Sequence, residues 1–504
     1  MKRIFSGAGW LSKKASWHLF FALVYGLPGS LIVLIGGYMY LLNARPDLSI
    51  WHEAKLEGEF TAKKHGGMEG LQAYRALEDG LFEQLEAEVY QHADAKNQSP
   101  LNRYYPESRM DPRQYPKNWN RSSELVPDKA RAGIVLLHGL SDSPYSLKRV
   151  GEHFHSRGFH VVFLRLPGHG TVPSALLKVK WEDWTAAVRL AVRDLRAKLK
   201  DCQPLYLGGY SNGAALAVEY ALAGVAGEEQ GLAEIEALVL FSPALQVAKV
   251  AALAKWQGRL GYVSGLNKLA WNDIGPEFDP YKYNSFTVNA GQQIYELIGT
   301  IQARMSVLRG KGKLQHFPRV LAFVSALDAT VPPQSIVDVL LDKLPAQKKN
   351  QLVVFGTNHD MGAEVMLKDA AGVWVEKMIK KKDLKFDLTL ISNGEQKSVQ
   401  GGHAAVVALE RKGGADDSLQ RKVLQGGWPA NVFSLSHLAV PMPADDPIYG
   451  EHQYEGDEYP WITLGSITVK GERGSLQFGD NYFVRLRYNP FHSYLLERID
   501  AFVK

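Results

Sequence analysis

Cysteine is nearly absent from this chain, whose 504 residues contain a single one, Cys202. One cysteine excludes an intramolecular disulfide framework and a cysteine-based zinc site, and we expect a small buried side chain there. Net charge is also low: 58 lysines and arginines against 53 acidic residues leave +5, too little to indicate a nucleic-acid partner. Internal repeats and low-complexity tracts are missing as well. With 46% hydrophobic residues, the chain can bury a sizeable core and is not disordered.

The N-terminus combines a basic head with a long uncharged stretch. The first sixteen residues have no acidic side chain and carry the basic residues Lys2, Arg3, Lys13 and Lys14. Residues 19–42 contain no charged residue and, as a helix, would extend about 36 Å, enough to cross a bilayer. We therefore predict a cytoplasmic head at 1–18 and a transmembrane helix at 19–42. In a bacterium this arrangement gives a single-pass inner-membrane protein with a periplasmic body. A cleaved signal peptide is the alternative, but the apolar stretch is too long and lacks a small-residue cleavage site.

The exported chain begins with a helix and a connector and continues into a regular alternation. Residues 43–127 predict an amphipathic helix at 68–92 and then an irregular connector rich in proline, asparagine and tyrosine. Residues 128–383 alternate short apolar β-type runs with helical segments. This alternation is typical of an α/β fold, with a mostly parallel sheet covered by helices on both faces.

Two further segments extend this α/β core. Residues 246–318 form a long insertion, helical in pattern and rich in aromatic residues, which we interpret as a helical cap. Residues 384–504 are strand-rich, with one predicted strand at 431–440 and a short final helix. We expect this C-terminal extension to complete the same domain.

A glycine-flanked serine is the most specific motif. Gly209-Tyr210-Ser211-Asn212-Gly213 lies between an apolar strand and a helix of small residues. The glycines give a tight strand-to-helix turn the room it needs and lift the serine Oγ out of the sheet, so Ser211 is predicted to be a nucleophile. Acyl transfer also needs backbone N–H donors for the oxyanion. We assign these to Leu140, after the first core strand, and to Asn212.

The acid and the base should follow the serine in that order. Asp328 ends an apolar strand, which favours it as the acid. Two histidines are candidates for the base: His359 follows the next strand, 31 residues after Asp328, whereas His437 lies in a later apolar run before a proline-rich loop. Spacing favours His359. We interpret His138 and His169 as structural residues that hold their loops.

As a set, these motifs resemble the α/β-hydrolase superfamily, near the carboxylesterase and monoacylglycerol-lipase group. The likeness rests on His138-Gly139-Leu140, Pro167-Gly168-His169-Gly170, the Ser211 turn and Asp328. The chain further resembles membrane-anchored bacterial hydrolases that share residues 142–145, 279–286 and 487–491, and the Ser436-His437 segment with Asp445-Asp446-Pro447. This second resemblance implies His437 as the base. The predicted triad is therefore Ser211, Asp328 and His437, with His359 as the alternative.

The expected function is hydrolysis of carboxylic esters with acyl or lipid-like chains, through an acyl-enzyme intermediate. No metal or organic cofactor is expected, and the expected partners are an ester substrate and the bilayer. Four aromatic residues are candidates for an apolar substrate slot: Tyr145, Trp271, Tyr283 and Phe286. Peptidases and thioesterases on the same fold, and a non-catalytic membrane-tethered binding protein, are the alternatives.

Overall fold

A computed structural model gives the structure of most of the chain after residue 43. It describes residues 44–93, 99–227, 229–246, 267–346, 349–358, 373–393, 404–414, 418–429, 431–451, 470–471 and 484–503, and isolated positions between 17 and 40. Much of the predicted transmembrane segment thus lies outside the described residues. Its described positions are helical, and Tyr25, Val33 and Tyr40 are exposed there. Within the described part, no helix is both long and apolar enough to cross a membrane.

A ten-stranded sheet forms the centre of the fold. In chain order the strands are β1 (Ser123–Leu125), β2 (Ala132–Leu137), β3 (Phe159–Leu164), β4 (Leu205–Tyr210), β5 (Ala237–Phe241), β6 (Trp271–Asp273), β7 (Phe286–Thr287), β8 (Arg319–Ser325), β9 (Gln351–Phe355), β10 (Asp387–Asn393), β11 (Ala404–Arg411), β12 (Leu419–Trp428), β13 (Lys470–Gly471) and β14 (Val484–Arg485). Ten of these strands form the central sheet, in the order β1-β3-β2-β4-β5-β8-β9-β10-β11-β12. The other four form two separate pairs, β6 with β7 and β13 with β14. Neighbours from β3 to β10 are parallel, and antiparallel strands lie at both edges. The predicted mostly parallel sheet is confirmed.

Helices cover both faces of this sheet. They are α1 (Ile50–Glu53), α2 (Ala62–His65), α3 (Gly70–Glu88), α4 (Lys148–Ser156), α5 (Trp181–Lys198), α6 (Asn212–Ala226), α7 (Val288–Gly310), α8 (Ser335–Val339), α9 (Val373–Lys380) and α10 (His492–Phe502). Short 3-10 helices occupy Tyr90–His92, Pro112–Gln114, Pro144–Leu147, Pro173–Leu177, Asn267–Ala270, Lys313–His316 and Leu341–Lys343. On one face the core packs under α5, α6 and α7, and on the other under α4 and α10.

Alternate residues of β2 divide between these two cores. Val135 and Leu137 belong to the first, and Ile134 and Leu136 belong to the second. Because both faces are covered, the central strands are apolar along their whole length, which explains the continuous apolar runs in the sequence.

The C-terminal extension joins the same sheet and then returns across the end of β9. Strand β10 pairs in parallel with β9, and β11 and β12 continue the sheet antiparallel. The Asn358 N–H donates to the Phe433 carbonyl at 2.8 Å, and Thr357 forms a bridge with Ser434. The predicted strand at 431–440 is therefore wrong. Its apolar residues other than Leu438 are buried, but the backbone there is irregular and is held by isolated bridges.

Three other expectations meet the structure differently. Cys202 is exposed rather than buried, because it lies in the surface turn between α5 and β4. The connector is not wholly irregular, because it adds β1 to the sheet edge beside β3. Of the predicted cap, residues 247–266 lie outside the described residues, and the rest forms the β6–β7 hairpin and α7.

Candidate active site

Ser211 lies at the sharp turn between β4 and α6. Its φ of 53° and ψ of −114° are strained values for a residue other than glycine. Its N–H donates to the Phe241 carbonyl at 2.9 Å, and the residue remains partly exposed. This is the backbone conformation expected of a nucleophile elbow.

Close backbone contacts explain the two flanking glycines. A Cβ on Gly209 would lie 2.4 Å from the carbonyl carbon of Gly213, and one on Gly213 would lie 2.1 Å from the Leu137 oxygen. No side chain fits at either position. The start of α6 therefore packs directly against the end of β2, which brings Ser211 beside the loop that follows β2.

His437 lies between Ser211 and Asp328. Its Nε2 is 2.9 Å from the Ser211 Oγ, and its Nδ1 is 2.6 Å from the Asp328 Oδ2. The His437 and Asp328 side chains are only 3% and 2% exposed, so little water competes for these bonds. Since a carboxylate can only accept, the Nδ1–H donates to Asp328 and leaves the unprotonated Nε2 facing the Ser211 hydroxyl.

The segment that carries His437 is held at the ends of the central strands. The Ser325 hydroxyl, at the end of β8, donates to the Leu435 carbonyl at 2.7 Å. The Tyr210 ring packs against the imidazole with 5.2 Å between centroids. His359, the alternative base, lies outside the described residues. The His437 segment crosses the end of β9, the same point from which the chain continues to His359.

The two predicted oxyanion donors belong to residues near the serine, one in the loop after β2 and one at the start of α6. Leu140 follows Gly139, where a Cβ would lie 3.3 Å from the Ser211 Cβ. Asn212 is the first residue of α6, so its N–H has no acceptor within the helix. Neither N–H is hydrogen-bonded to another group in the described part of the chain.

His138 and His169 are buried and bond to backbone groups. The His138 Nε2 accepts the Leu166 N–H at 2.9 Å, and its Nδ1 lies 2.8 Å from the Gly139 carbonyl. Burial lowers the pKa of His138 well below its ordinary value and that of His169 to about 4. Both rings are neutral at pH 7 and tie loops together. Across the described residues, no three His, Cys, Asp or Glu side chains form a group that could hold a metal ion.

Three of the four aromatic residues predicted to line a substrate slot, Tyr145, Trp271 and Tyr283, are buried, and Phe286 is half-buried. Tyr145 stacks on Tyr281 with ring centroids 4.1 Å apart. Tyr283 and Trp271 are 2% and 1% exposed, and Phe286 packs against the first core. These contacts show how the rings pack, and their part in substrate binding stays a prediction.

A buried polar network that the sequence motifs did not predict lies near the His437 segment. The Asp279 carboxylate accepts the Tyr449 hydroxyl at 2.5 Å and the Arg487 guanidinium at 2.9 Å. The Lys282 ammonium lies 3.6 Å from the carboxylate of Asp142, whose pKa is raised by burial against the opposing effect of Lys282. All five residues are in or next to segments that carried the second resemblance. The second resemblance therefore points to these five residues, but it implies no function for them.

Comparison with known proteins finds similarity in the part of the chain that contains the serine. A family model described as serine aminopeptidase, S33, matches residues 128–365. A thermostable monoacylglycerol lipase from Bacillus sp. (strain H-257) is 23% identical over 217 residues, which are 43% of this chain and 78% of that lipase. The family match includes Ser211 and Asp328, whereas His437 lies beyond it.

Two solved structures show similarity over about half of the chain. The monoacylglycerol lipase of Paleococcus ferrophilus is 20% identical with a TM-score of 0.34, covering 51% of this chain and 95% of its own. A carboxylesterase structure from Nitrososphaera gargenis is 15% identical with a TM-score of 0.32, covering 48% of this chain and 88% of its own.

Proposed function

We propose that this serine ester hydrolase is an α/β hydrolase in which Ser211 is the nucleophile, His437 the base and Asp328 the acid. The supporting observation is the pair of hydrogen bonds, 2.9 Å and 2.6 Å long, that joins these side chains. Attack of the serine Oγ on the ester carbonyl carbon passes the hydroxyl proton to the imidazole Nε2. The imidazolium then gives this proton to the leaving alkoxide. While the imidazolium exists, the Asp328 carboxylate stabilises its positive charge.

The second half of the reaction uses the same groups. The Nε2 takes a proton from water, the hydroxide attacks the acyl-enzyme, and the carboxylic acid leaves as Oγ regains its proton. In both halves the negative carbonyl oxygen is stabilised by the backbone N–H groups of Leu140 and Asn212.

The proposed substrates are carboxylic esters with lipid-like acyl chains. The supporting observation is that the curated relative is described as a monoacylglycerol lipase, and its similarity to this chain extends over 78% of its length. A peptidase is the competing function, because the matching family model carries an aminopeptidase description. The two functions differ in the bond cleaved, so a substrate panel separates them.

The test compares four substrate classes with the full-length protein in detergent micelles: monoacylglycerols of graded chain length, p-nitrophenyl esters, acyl thioesters and aminoacyl amides. We expect the highest kcat/KM with the oxygen esters and a loss of about 10⁴-fold or more in Ser211→Ala. Ser242→Ala is the matched control, since Ser242 also has positive φ at a strand end and its hydroxyl has no partner in the described chain. Preference for aminoacyl amides or thioesters would contradict the ester proposal. Folded protein without turnover would favour a binding protein.

We also propose that residues 19–42 anchor the enzyme in the inner membrane, with the N-terminus cytoplasmic and the hydrolase domain periplasmic. The support is the uncharged stretch behind a basic head. Just after it, the Arg45 guanidinium donates to the carbonyls of Lys268, Trp271 and Asn272 at 3.0, 2.9 and 2.9 Å. These bonds would hold the cap beside the membrane.

Cell fractionation tests the anchor. We expect the full chain to stay in the membrane pellet after carbonate extraction and a chain that begins at residue 44 to be soluble. Release of the full chain by carbonate, or its recovery as a shortened soluble product, would contradict anchoring and favour a cleaved signal peptide.

A further inference from the structure

The hydroxyl of one buried serine joins the two segments that carry the proposed acid and base. Ser325 is the last residue of β8 and is fully buried. Its hydroxyl donates to the Leu435 carbonyl at 2.7 Å, and its Oγ accepts the Leu327 N–H at 3.3 Å. Leu327 directly precedes Asp328, and Leu435 lies two positions before His437. A single oxygen atom is therefore hydrogen-bonded to both segments.

The Asp328 carboxylate is fixed by its own turn at the end of β8. Its Oδ1 accepts the N–H groups of Thr330 and Val331, both at 2.9 Å. The Asp328 N–H also donates to the Ser325 carbonyl at 3.4 Å. The remaining oxygen, Oδ2, lies 2.6 Å from the His437 Nδ1. The acid is therefore placed by β8, whereas the base has to be brought to it by a segment from the C-terminal extension.

That base-bearing segment is irregular, so it is placed by individual contacts and not by a ladder of strand hydrogen bonds. An isolated bridge joins it to Thr357, just after β9. The Ser436 hydroxyl donates to the Leu486 carbonyl at 2.5 Å, which ties it to the C-terminal extension. Neither contact involves β8. The Ser325 hydroxyl adds the tie to β8, the strand that leads directly to Asp328.

We propose that Ser325 is a positioning residue that sets the spacing between Asp328 and His437. This spacing keeps the imidazole Nε2 2.9 Å from the Ser211 Oγ. The proposal rests on the proposed function and deepens it. Without the hydroxyl, a buried carbonyl and a buried N–H lose their partner, and the cost of leaving them unpaired favours movement of the two segments. Ser325 acts through these segments and does not touch the reacting atoms.

Ser325→Ala removes the hydroxyl and leaves the rest of the side chain. With a soluble p-nitrophenyl ester we expect kcat to fall about 10- to 100-fold, because a misplacement of about 1 Å can lower a rate about 100-fold. KM should change little, since the change affects the base and not the binding of substrate. If Ser325→Ala does not fold, Ser325→Cys replaces it. A thiol is a weaker donor of similar shape, so this variant should fold and show a smaller loss of kcat.

Ser174→Ala is the matched control, because Ser174 makes the same kind of hydrogen bond elsewhere. Ser174 is also buried, and its hydroxyl donates to the Ala54 carbonyl at 2.7 Å, again between distant segments. Each variant loses one hydrogen bond from a serine to a carbonyl, so both should unfold at a lower urea concentration than wild type. Only the change at Ser325 should lower kcat. Wild-type kcat in folded Ser325→Ala, or an equal loss of kcat in Ser174→Ala, overturns the proposal.

A double-mutant cycle separates positioning of the base from a general structural role. The measurement is the rate at which a fluorophosphonate modifies Ser211 in the full-length protein. Ser325→Ala should slow this rate about 10- to 100-fold when His437 is present, and by less than about 2-fold in the His437→Ala background. Equal slowing in both backgrounds overturns the proposal and leaves His437 as the base. A wild-type rate in His437→Ala alone would instead refute the proposed triad.

Discussion

Replacing Gly213 with alanine should disrupt the active site through backbone contact alone. The new Cβ would lie 2.1 Å from the Leu137 oxygen and 2.6 Å from the His138 oxygen, whereas ordinary contacts begin at 3.4 Å. The start of α6 and the end of β2 must therefore separate by about 1 Å. Both opposing atoms are backbone atoms that no side-chain rotation can move, so Ser211 and Asn212 must shift with the helix.

The magnitude follows from the overlap. Overpacking of this kind costs roughly 1–3 kcal/mol, and a displacement of about 1 Å can lower a rate about 100-fold. We expect Gly213→Ala to reduce the free energy of unfolding by about 2 kcal/mol and kcat by about 100-fold. The assays are urea unfolding followed by tryptophan fluorescence, and initial rates with a p-nitrophenyl ester.

Gly224→Ala is the matched control because it lies in the same helix and a Cβ there meets nothing within 4 Å. Higher helix propensity should raise its stability by about 0.5–1 kcal/mol, with unchanged kcat. Equal stability and equal activity of the two variants would refute the packing argument.

Two other predictions concern the histidines. His437→Ala should abolish p-nitrophenyl ester turnover while His359→Ala retains most of it, and the reverse result would assign the base to His359. His169 has its pKa lowered by burial to about 4 from an ordinary value of 6.5. Between pH 6.5 and pH 4 the His169 imidazole is protonated in the unfolded chain and neutral in the folded chain. The free energy of unfolding therefore decreases as the pH falls from 6.5 to 4, by about 3 kcal/mol for this residue. Urea unfolding at pH 7 and pH 4.5 should show a weaker pH dependence in His169→Gln than in the exposed control His316→Gln; equal dependence would contradict this.

The parallel sheet and the serine turn could be predicted because local chemistry determines both. Strands buried on two faces must be apolar throughout, and they stand out as runs even in a single sequence. The contacts of Gly209 and Gly213 likewise leave no room for any other residue. The run at 431–440 looked like a strand for the same reason, since its side chains are buried. A run of apolar residues indicates that the segment is buried, but it does not show whether its backbone is hydrogen-bonded as a strand of the sheet.

The His437 and Lys282 contacts join distant parts of the chain. Spacing favours His359 because it follows β9 directly, and no local pattern shows that β10, β11 and β12 bring His437 back to the same strand end. Lys282 approaches Ser141 across 141 positions of sequence. Such a contact leaves no mark on composition or periodicity, so it could be found only in the structure.

We propose that the His437 imidazole activates the Ser211 hydroxyl. The most direct measurement is the rate at which a fluorophosphonate modifies the folded enzyme, followed by intact-mass spectrometry with peptide mapping of the adduct. We predict one adduct, on Ser211, that forms at least about 100-fold more slowly in His437→Ala, as expected on removal of a general base. No adduct on Ser211 in the folded wild type, or equal rates in wild type and His437→Ala, would contradict activation of Ser211 by His437.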